Sequence, residues 1–200
     1  MLKLTIIIGL FFSDLFAQDY DNPCYPVGWS AYDGTTNGGE GGDTIVVSTF
    51  ADLKSAAEDS IPRVIILFGK FGTGGGVESR IKVNSNKTIL GYGDAQLHGS
   101  FMIHNVNNVV LRNLKVRGDG AHDRNGEDAI GILNSTRVWI DHLDILDGGD
   151  GNLDITRGSN YITVSWTKFS YTSASTYHTW SNLIGCLLYT SPSPRDSDSS

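Results

Sequence analysis

The chain has 200 residues with 15 Lys and Arg against 22 Asp and Glu, a formal net charge of -7 that excludes a basic nucleic-acid binder. With 40% hydrophobic and only 18% charged residues it is too apolar and too weakly charged for a disordered protein. Its 24 glycines and its short Val, Ile, Thr, Tyr and Trp runs point to one turn-rich domain of mostly β structure.

At the N-terminus, Lys3 precedes an apolar run from Leu4 to Phe12, and Ala17 offers a small residue for cleavage. Residues 1–17 therefore read as a secretory signal peptide. The run falls short of the roughly 20 apolar residues of a membrane span, and Ser13 and Asp14 interrupt it. The mature chain is expected to be secreted, monomeric and free of the membrane.

The segment ADLKSAAED, Ala51 to Asp59, is the one convincing helix, and Pro62 and an apolar strand from Arg63 to Gly69 follow it. Such a helix would cap the open strand edge of a solenoid. The glycine-rich stretch Phe71 to Gly76 lacks the Lys-Ser/Thr ending of a phosphate loop and reads as a flexible turn.

Four segments then align without gaps: KTILGYG, NVVLRNLKV, RVWIDHLDI and YITVSWTKF. One column holds Thr88, Val109, Val138 and Ile162, the next Leu90, Leu111, Ile140 and Val164, and a third Val116, Ile145 and Phe169. Side chains two apart on a strand share a face, so these columns predict aliphatic ladders inside a coil of parallel strands. A leucine-rich repeat fits less well, because Asp119 and Gly148 stand where it wants Asn or Cys. No helical pattern separates the strands, which weighs against a doubly wound sheet.

The acidic stretch DHLDILDGGDGNLDI carries Asp141, Asp144, Asp147, Asp150 and Asp154 among glycines. Several oxygen ligands on a bendable backbone suit a hard cation such as Ca²⁺, although the spacing is not that of an EF-hand. The bland reading is that Asp and Gly make solvated turns. Asp150 and Asp154 have the same parity, but an extended chain separates them by about 13 Å, so sharing an ion requires a turn at Gly151 and Asn152. Asp128 precedes the start of an apolar strand one rung earlier, and rung stacking would bring it near both. Glu127 beside it reads equally well as a solvated turn residue. Histidines 98, 104, 122, 142 and 178 show no zinc spacing, and His142 reads best as a buried, hydrogen-bonded residue. Trp139, Trp166 and Trp180 are either sugar platforms or stacked core. Neither a nucleophile elbow nor a glycosidase carboxylate pair is recognisable. Asn86 and Asn134 each open an N-glycosylation acceptor pattern.

The last residues, CLLYTSPSPRDSDSS from Cys186, abandon the strand pattern for a Ser, Pro and Asp tail. The string resembles translated sequencing-adaptor read-through. On that reading residues 186–200 are non-native or disordered, the natural chain continues past Gly185, and Cys24 has no partner in Cys186.

TNGGEGG from Thr36, NKTILGYG from Asn86, EDAIGI from Glu127, VWIDHLDI from Val138, DGNLDIT from Asp150, YITVSWTKF from Tyr161 and NLIG from Asn182 together resemble the successive signatures of polysaccharide lyase family 1, the pectate lyases. The resemblance runs from about Gly28 to Gly185 and implies a right-handed parallel β-helix over residues 18–185, incomplete at its C-terminal end. It further implies a secreted enzyme in which Ca²⁺ bridges protein carboxylates and the uronate groups of polygalacturonate, with β-elimination to 4,5-unsaturated products. Carried over by position, the metal ligands are Asp128, Asp150 and Asp154, with catalytic and substrate-binding residues unassigned. The chain departs from the family pattern where Gly126 replaces a further Asp, leaving Glu127 as a possible substitute, and where Trp180 replaces a substrate-binding Lys that neither Lys168 nor His178 matches. The family's catalytic Arg region would follow NLIG, and Arg195 in the tail is no replacement, so these 200 residues are expected to be inactive on their own. The alternatives are a calcium-independent pectin lyase, which should lack carboxylates at 150 and 154, a polygalacturonase, whose motifs are not found, and a non-catalytic β-helix that binds cell-wall polysaccharide.

Overall fold

A computed structural model describes residues 25–72, 74, 79–122 and 126–185. The expected leader, both cysteines, half of the glycine-rich turn and the tail lie outside these residues. After a 3-10 turn at Gly28–Ala31 come β1 (Asp43–Val47), α1 (Phe50–Glu58), β2 (Arg63–Phe71), β3 (Arg80–Val83), β4 (Lys87–His98), β5 (Ser100–His104) and β6 (Asn107–Arg117). The chain continues through β7 (Ile130–Leu133), β8 (Thr136–Leu146), β9 (Gly151–Thr156), β10 (Asn160–Ser165), β11 (Lys168–Ser170) and β12 (Trp180–Gly185).

Strands β1, β2, β4, β6, β8 and β10 stack in that order in one sheet, where β11 also pairs with β8. The second sheet runs β3, β5, β7, β9, β12, and all pairings are parallel. The chain thus gives each sheet a strand in turn and winds a parallel β-helix, as the repeats predict. Ile81, Ile103, Ile132 and Ile155 of the second sheet meet Ile65, Ile89, Leu111 and Ile140 of the first in one buried core. Among the described residues no helix is long and apolar enough to cross a membrane.

The ladders Val109–Val138–Ile162, Leu111–Ile140–Val164 and Val116–Ile145–Phe169 form as expected. The first rung is displaced by one residue. Lys87, not Thr88, pairs with Val109, and Ile89, not Leu90, pairs with Leu111. A one-residue slip exchanges the two faces of a strand. Ile89 accordingly fills the core, while the half-buried Thr88 faces outward and accepts a hydrogen bond from Gly39 N at 3.0 Å. The column of Asn113, His142 and Trp166 marks a corner at which each residue has a positive φ, 55°, 52° and 46°. Such angles are more readily adopted by Asn and His and are uncommon for a bulky Trp.

The expected helix is present, capped by the Thr49 hydroxyl, which accepts from Asp52 N at 3.1 Å. Leu53, Ala56 and Ala57 close the start of the core. Ahead of it, residues 28–42 run across the outer face of the first sheet. Asn108 Oδ1 accepts from Asn37 N at 2.9 Å and Gly38 N at 2.8 Å, and Arg137 donates to the carbonyls of Tyr32, Asp33 and Gly34. The GG-rich signature near residue 37 is thus a packing segment, remote from the carboxylates.

Candidate active site

The parallel register separates the five aspartates of the acidic stretch into two groups. Asp141 is buried and accepts from Arg112 Nε at 2.8 Å and Ser165 Oγ at 2.6 Å, with His142 Nδ1 at 2.8 Å. His142 is hydrogen-bonded as expected but only half-buried, stacked on Trp166. Asp144 lies 3.3 Å from Lys115 Nζ. Asp147, fully buried, accepts from Thr172 N at 2.7 Å, Thr172 Oγ1 at 2.8 Å and Ser175 Oγ at 3.0 Å. Burial pushes its pKa up, but these hydrogen bonds and Arg117 outweigh burial and hold it below the usual carboxylate range. These three acids are structural, and Asp147 fixes the loop that follows β11.

The other two face a different surface. Asp154 points outward from β9, with Gly131 and Leu183 as its ladder partners, and its Oδ1 accepts from Leu183 N at 3.1 Å. Asp150 immediately precedes β9 and has His178 Nε2 3.5 Å from its Oδ1. Asp128 comes from the coil before, two residues ahead of β7. A methyl group at Gly151 would sit 2.9 Å from both Asp128 Oδ1 and Asp154 Oδ1. Two carboxylates from successive coils therefore converge on a space kept open by a glycine. Asp128 Oδ1 is buried there without a hydrogen-bond partner. No turn forms at Gly151 and Asn152, because β9 starts at Gly151 and Asn152 is held by Gly148 N at 3.0 Å and Ser170 O at 3.1 Å. Stacking of Asp128, not reversal of the chain, brings the acids together.

Burial, then the charges of Asp154 and Asp150, raise the Asp128 pKa to about 7 against the weaker opposing pull of the Gly151 N–H. Burial also raises Asp154, assisted by Asp150 and opposed by the Leu183 N–H and His178. Tyr171, whose hydroxyl donates to Trp180 O at 2.8 Å, is pushed to about 12 by burial and by the surrounding carboxylates. It stays protonated at neutral pH. Glu127, the possible replacement for a ligand missing at Gly126, is ion-paired with Arg80 instead. Among the described residues no three His, Cys, Asp or Glu side chains stand as a ready-made metal shell.

A carboxyl group with a raised pKa holds its proton more tightly in the folded chain than in the unfolded one. Its contribution to stability is complete below the ordinary aspartate pKa of about 4 and is lost as pH rises through the folded value. In chelator, the melting temperature is expected to be higher at pH 5 than at pH 8 by roughly 5 °C, a gap that Asp128→Asn narrows and that the raised Asp154 keeps from closing fully. Thermal melts of both proteins check this, and equal wild-type midpoints at the two pH values would contradict it.

The sequence marks Gly151 only as a turn residue and His178 only as a poor match for a substrate-binding Lys, and it does not single out Tyr171. Gly151 acts by the absence of a side chain, and the other two reach the site through the loop held by Asp147. Of the tryptophans, Trp139 is buried and donates to Ser165 Oγ at 3.0 Å, whereas Trp166 and Trp180 are exposed.

A family model described as Pectate lyase matches residues 2–182. Among curated proteins, Probable pectate lyase B of Aspergillus terreus is 43% identical over 152 residues, which cover 72% of this chain and 45% of that protein. Pectate trisaccharide-lyase of Thermotoga maritima is 37% identical over 140 residues, covering 67% of this chain and 38% of that protein. The chain thus spans less than half the length of these two relatives. The crystal structure of pectate lyase Bsp165PelA from Bacillus sp. N165 in complex with trigalacturonate superimposes with a TM-score of 0.59 at 25% identity, over 80% of this chain and 62% of that one.

Proposed function

Since this chain belongs to the pectate lyase family, we propose that the whole protein is a secreted, calcium-dependent pectate lyase that cleaves α-1,4-linked polygalacturonate by β-elimination to 4,5-unsaturated oligogalacturonides. The observation that carries the reading is the convergence of Asp128 Oδ1 and Asp154 Oδ1 on the space beside Gly151. Crowded carboxylates, one with a buried unpartnered oxygen, fit a hard divalent cation, whose charge would relieve both the repulsion and the missing contact. Asp128, Asp150 and Asp154 are the residues that would hold it. When bound, such an ion draws charge from a uronate carboxyl group and acidifies the neighbouring C5 proton.

The protein's own groups prepare that chemistry. Asp147 anchors the loop bearing His178, which keeps Asp150 at the rim, and the Leu183 N–H orients Asp154. No described side chain is assigned to removing the C5 proton. The 200-residue chain by itself is expected to release no unsaturated product.

Carboxylates at 150 and 154 disfavour the calcium-independent pectin lyase. The competing reading from another class is a polysaccharide-binding β-helix without catalysis, which the exposed Trp180 in place of a Lys favours. Full-length protein mixed with polygalacturonate is expected to produce ultraviolet absorbance from the unsaturated product only when calcium is present. Binding without absorbance would leave the non-catalytic reading, and absorbance that survives chelator would leave the pectin lyase.

A further inference from the structure

The outer face of the second sheet carries a charge sequence that the carboxylate cluster does not explain. Lys82, Met102, Gly131, Asp154 and Leu183 follow one another in register from β3 to β12. Strands in a sheet lie about 4.8 Å apart, so Lys82 stands about 10 Å from Gly131 and about 14 Å from Asp154 along the coil axis. Acids thus crowd one end of this line, while Lys82 and Arg80 stand at the other, where Glu58 and Glu127 each face a cation of their own. Lys82 is exposed and has no side-chain partner among the described residues. Glu58, the acid near its backbone, accepts from Lys82 N at 3.0 Å and lies 3.8 Å from Lys54 Nζ. Arg80, two residues earlier on the same face, is paired with Glu127, yet its Nε is buried without a partner. The floor between the two ends is low, because Gly131 has no side chain and Met102 is half-buried.

We infer that Lys82, with Arg80 beside it, is a second carboxylate-binding position that holds the same polyuronate chain two to three sugars away from the Asp128–Asp154 cluster. The inference rests on the pectate lyase reading. An extended 1,4-linked pyranose chain advances by about one strand spacing per sugar, so its carboxyl groups can be sampled at rungs of this sheet. Lysine is a compact charge on a flexible stem and tolerates variation in the position of a sugar carboxylate, while the Arg80 guanidinium, held in place by Glu127, adds a fixed positive charge beside it. The cations also supply what an acidic protein otherwise lacks, an attraction for an acidic polymer that needs no metal. A trisaccharide seated at the carboxylate cluster reaches Lys82 only at its limit, whereas a polymer passes over it.

The test uses the full-length protein and its Lys82→Glu and Lys82→Arg variants. Lys82→Glu is expected to raise KM for polygalacturonate about tenfold and KM for trigalacturonate distinctly less, with Lys82→Arg restoring most of the loss. Equal KM increases on the two substrates, or none, would overturn the subsite while leaving the lyase assignment intact. Migration through gels containing polygalacturonate keeps the two ideas separate. A wild type that is retarded but forms no unsaturated product defeats the lyase assignment, and weaker retardation of Lys82→Glu still supports the subsite. Equal retardation of the two proteins defeats it. Circular dichroism melts confirm folding, which an exposed Lys82 leaves undisturbed.

Discussion

Gly151→Ala is expected to weaken calcium binding by about a hundredfold while leaving the fold in place. The methyl group would stand 2.9 Å from Asp128 Oδ1 and from Asp154 Oδ1, closer than real side chains approach such atoms. Both clashing atoms are ends of side chains, which can swing aside, and Trp180 O at 3.6 Å is an ordinary contact. Gly151 opens a strand without a positive φ, so alanine costs its backbone little. What is lost is the convergence of the two oxygens and the space between them. Gly148 provides the contrast, because a methyl group there falls onto the backbone carbonyl of Gly151, which cannot swing. Gly148→Ala should therefore lower the melting temperature, whereas Gly151→Ala should change the calorimetric calcium titration. Unaltered calcium affinity in Gly151→Ala would place the cation elsewhere.

The two glycines show why the sequence exposes only part of the site. Asp150 and Asp154 stand out because carboxylates and glycines are concentrated around them, but composition gives Asp141, Asp144 and Asp147 the same claim. Direction separates them. Asp141 meets Arg112 across a ladder, Asp147 turns into the loop after β11, and only Asp154 leaves the second sheet outward. Asp128 enters through stacking, which the repeat spacing makes legible once the coil is recognised. The partnership of Glu127 with Arg80 is less accessible, since it joins residues from β3 and the approach to β7 across an intervening strand.

The fold itself is more legible, because buried aliphatic columns at period two leave few alternatives. The error in the first rung is informative. Aligning by apolar character sets Thr88 with Val109, since lysine is almost never fully buried unless paired. Here the paired exception holds, and Lys87 stands in the core column with its side chain fully buried. The cause is α1. A helix ends with carbonyls that have no partner of their own, and its C-terminus favours a cation. Lys87 Nζ donates to Ala56 O at 2.7 Å, Ile61 O at 2.6 Å and Asp59 Oδ1 at 2.5 Å, tying the capping helix to the first rung.

Lys87→Met keeps the length and apolar stem of the side chain and removes the charge. It leaves the Ala56 and Ile61 carbonyls unpartnered beneath the cap, and the expected loss is about 3 kcal/mol, discounted because Asp59 is partly exposed and retains Arg63 Nε at 3.0 Å. That loss corresponds to a fall in melting temperature of roughly 10 °C for a domain of this size. Acid sensitivity distinguishes this ion pair from simple packing. Burial raises the Asp59 pKa, but Lys87, the Ile61 N–H and Arg63 overcome it and leave the group below its usual range. A depressed carboxylate contributes stability above its unfolded pKa, near 4, and loses it as pH falls through the lower folded value. Wild type and Lys87→Met should therefore differ most at pH 6 and approach each other below pH 4. Denaturant midpoints measured across that range decide the matter. A gap that stays constant into acid would assign Lys87 to packing and the two carbonyls alone, with Asp59 contributing nothing.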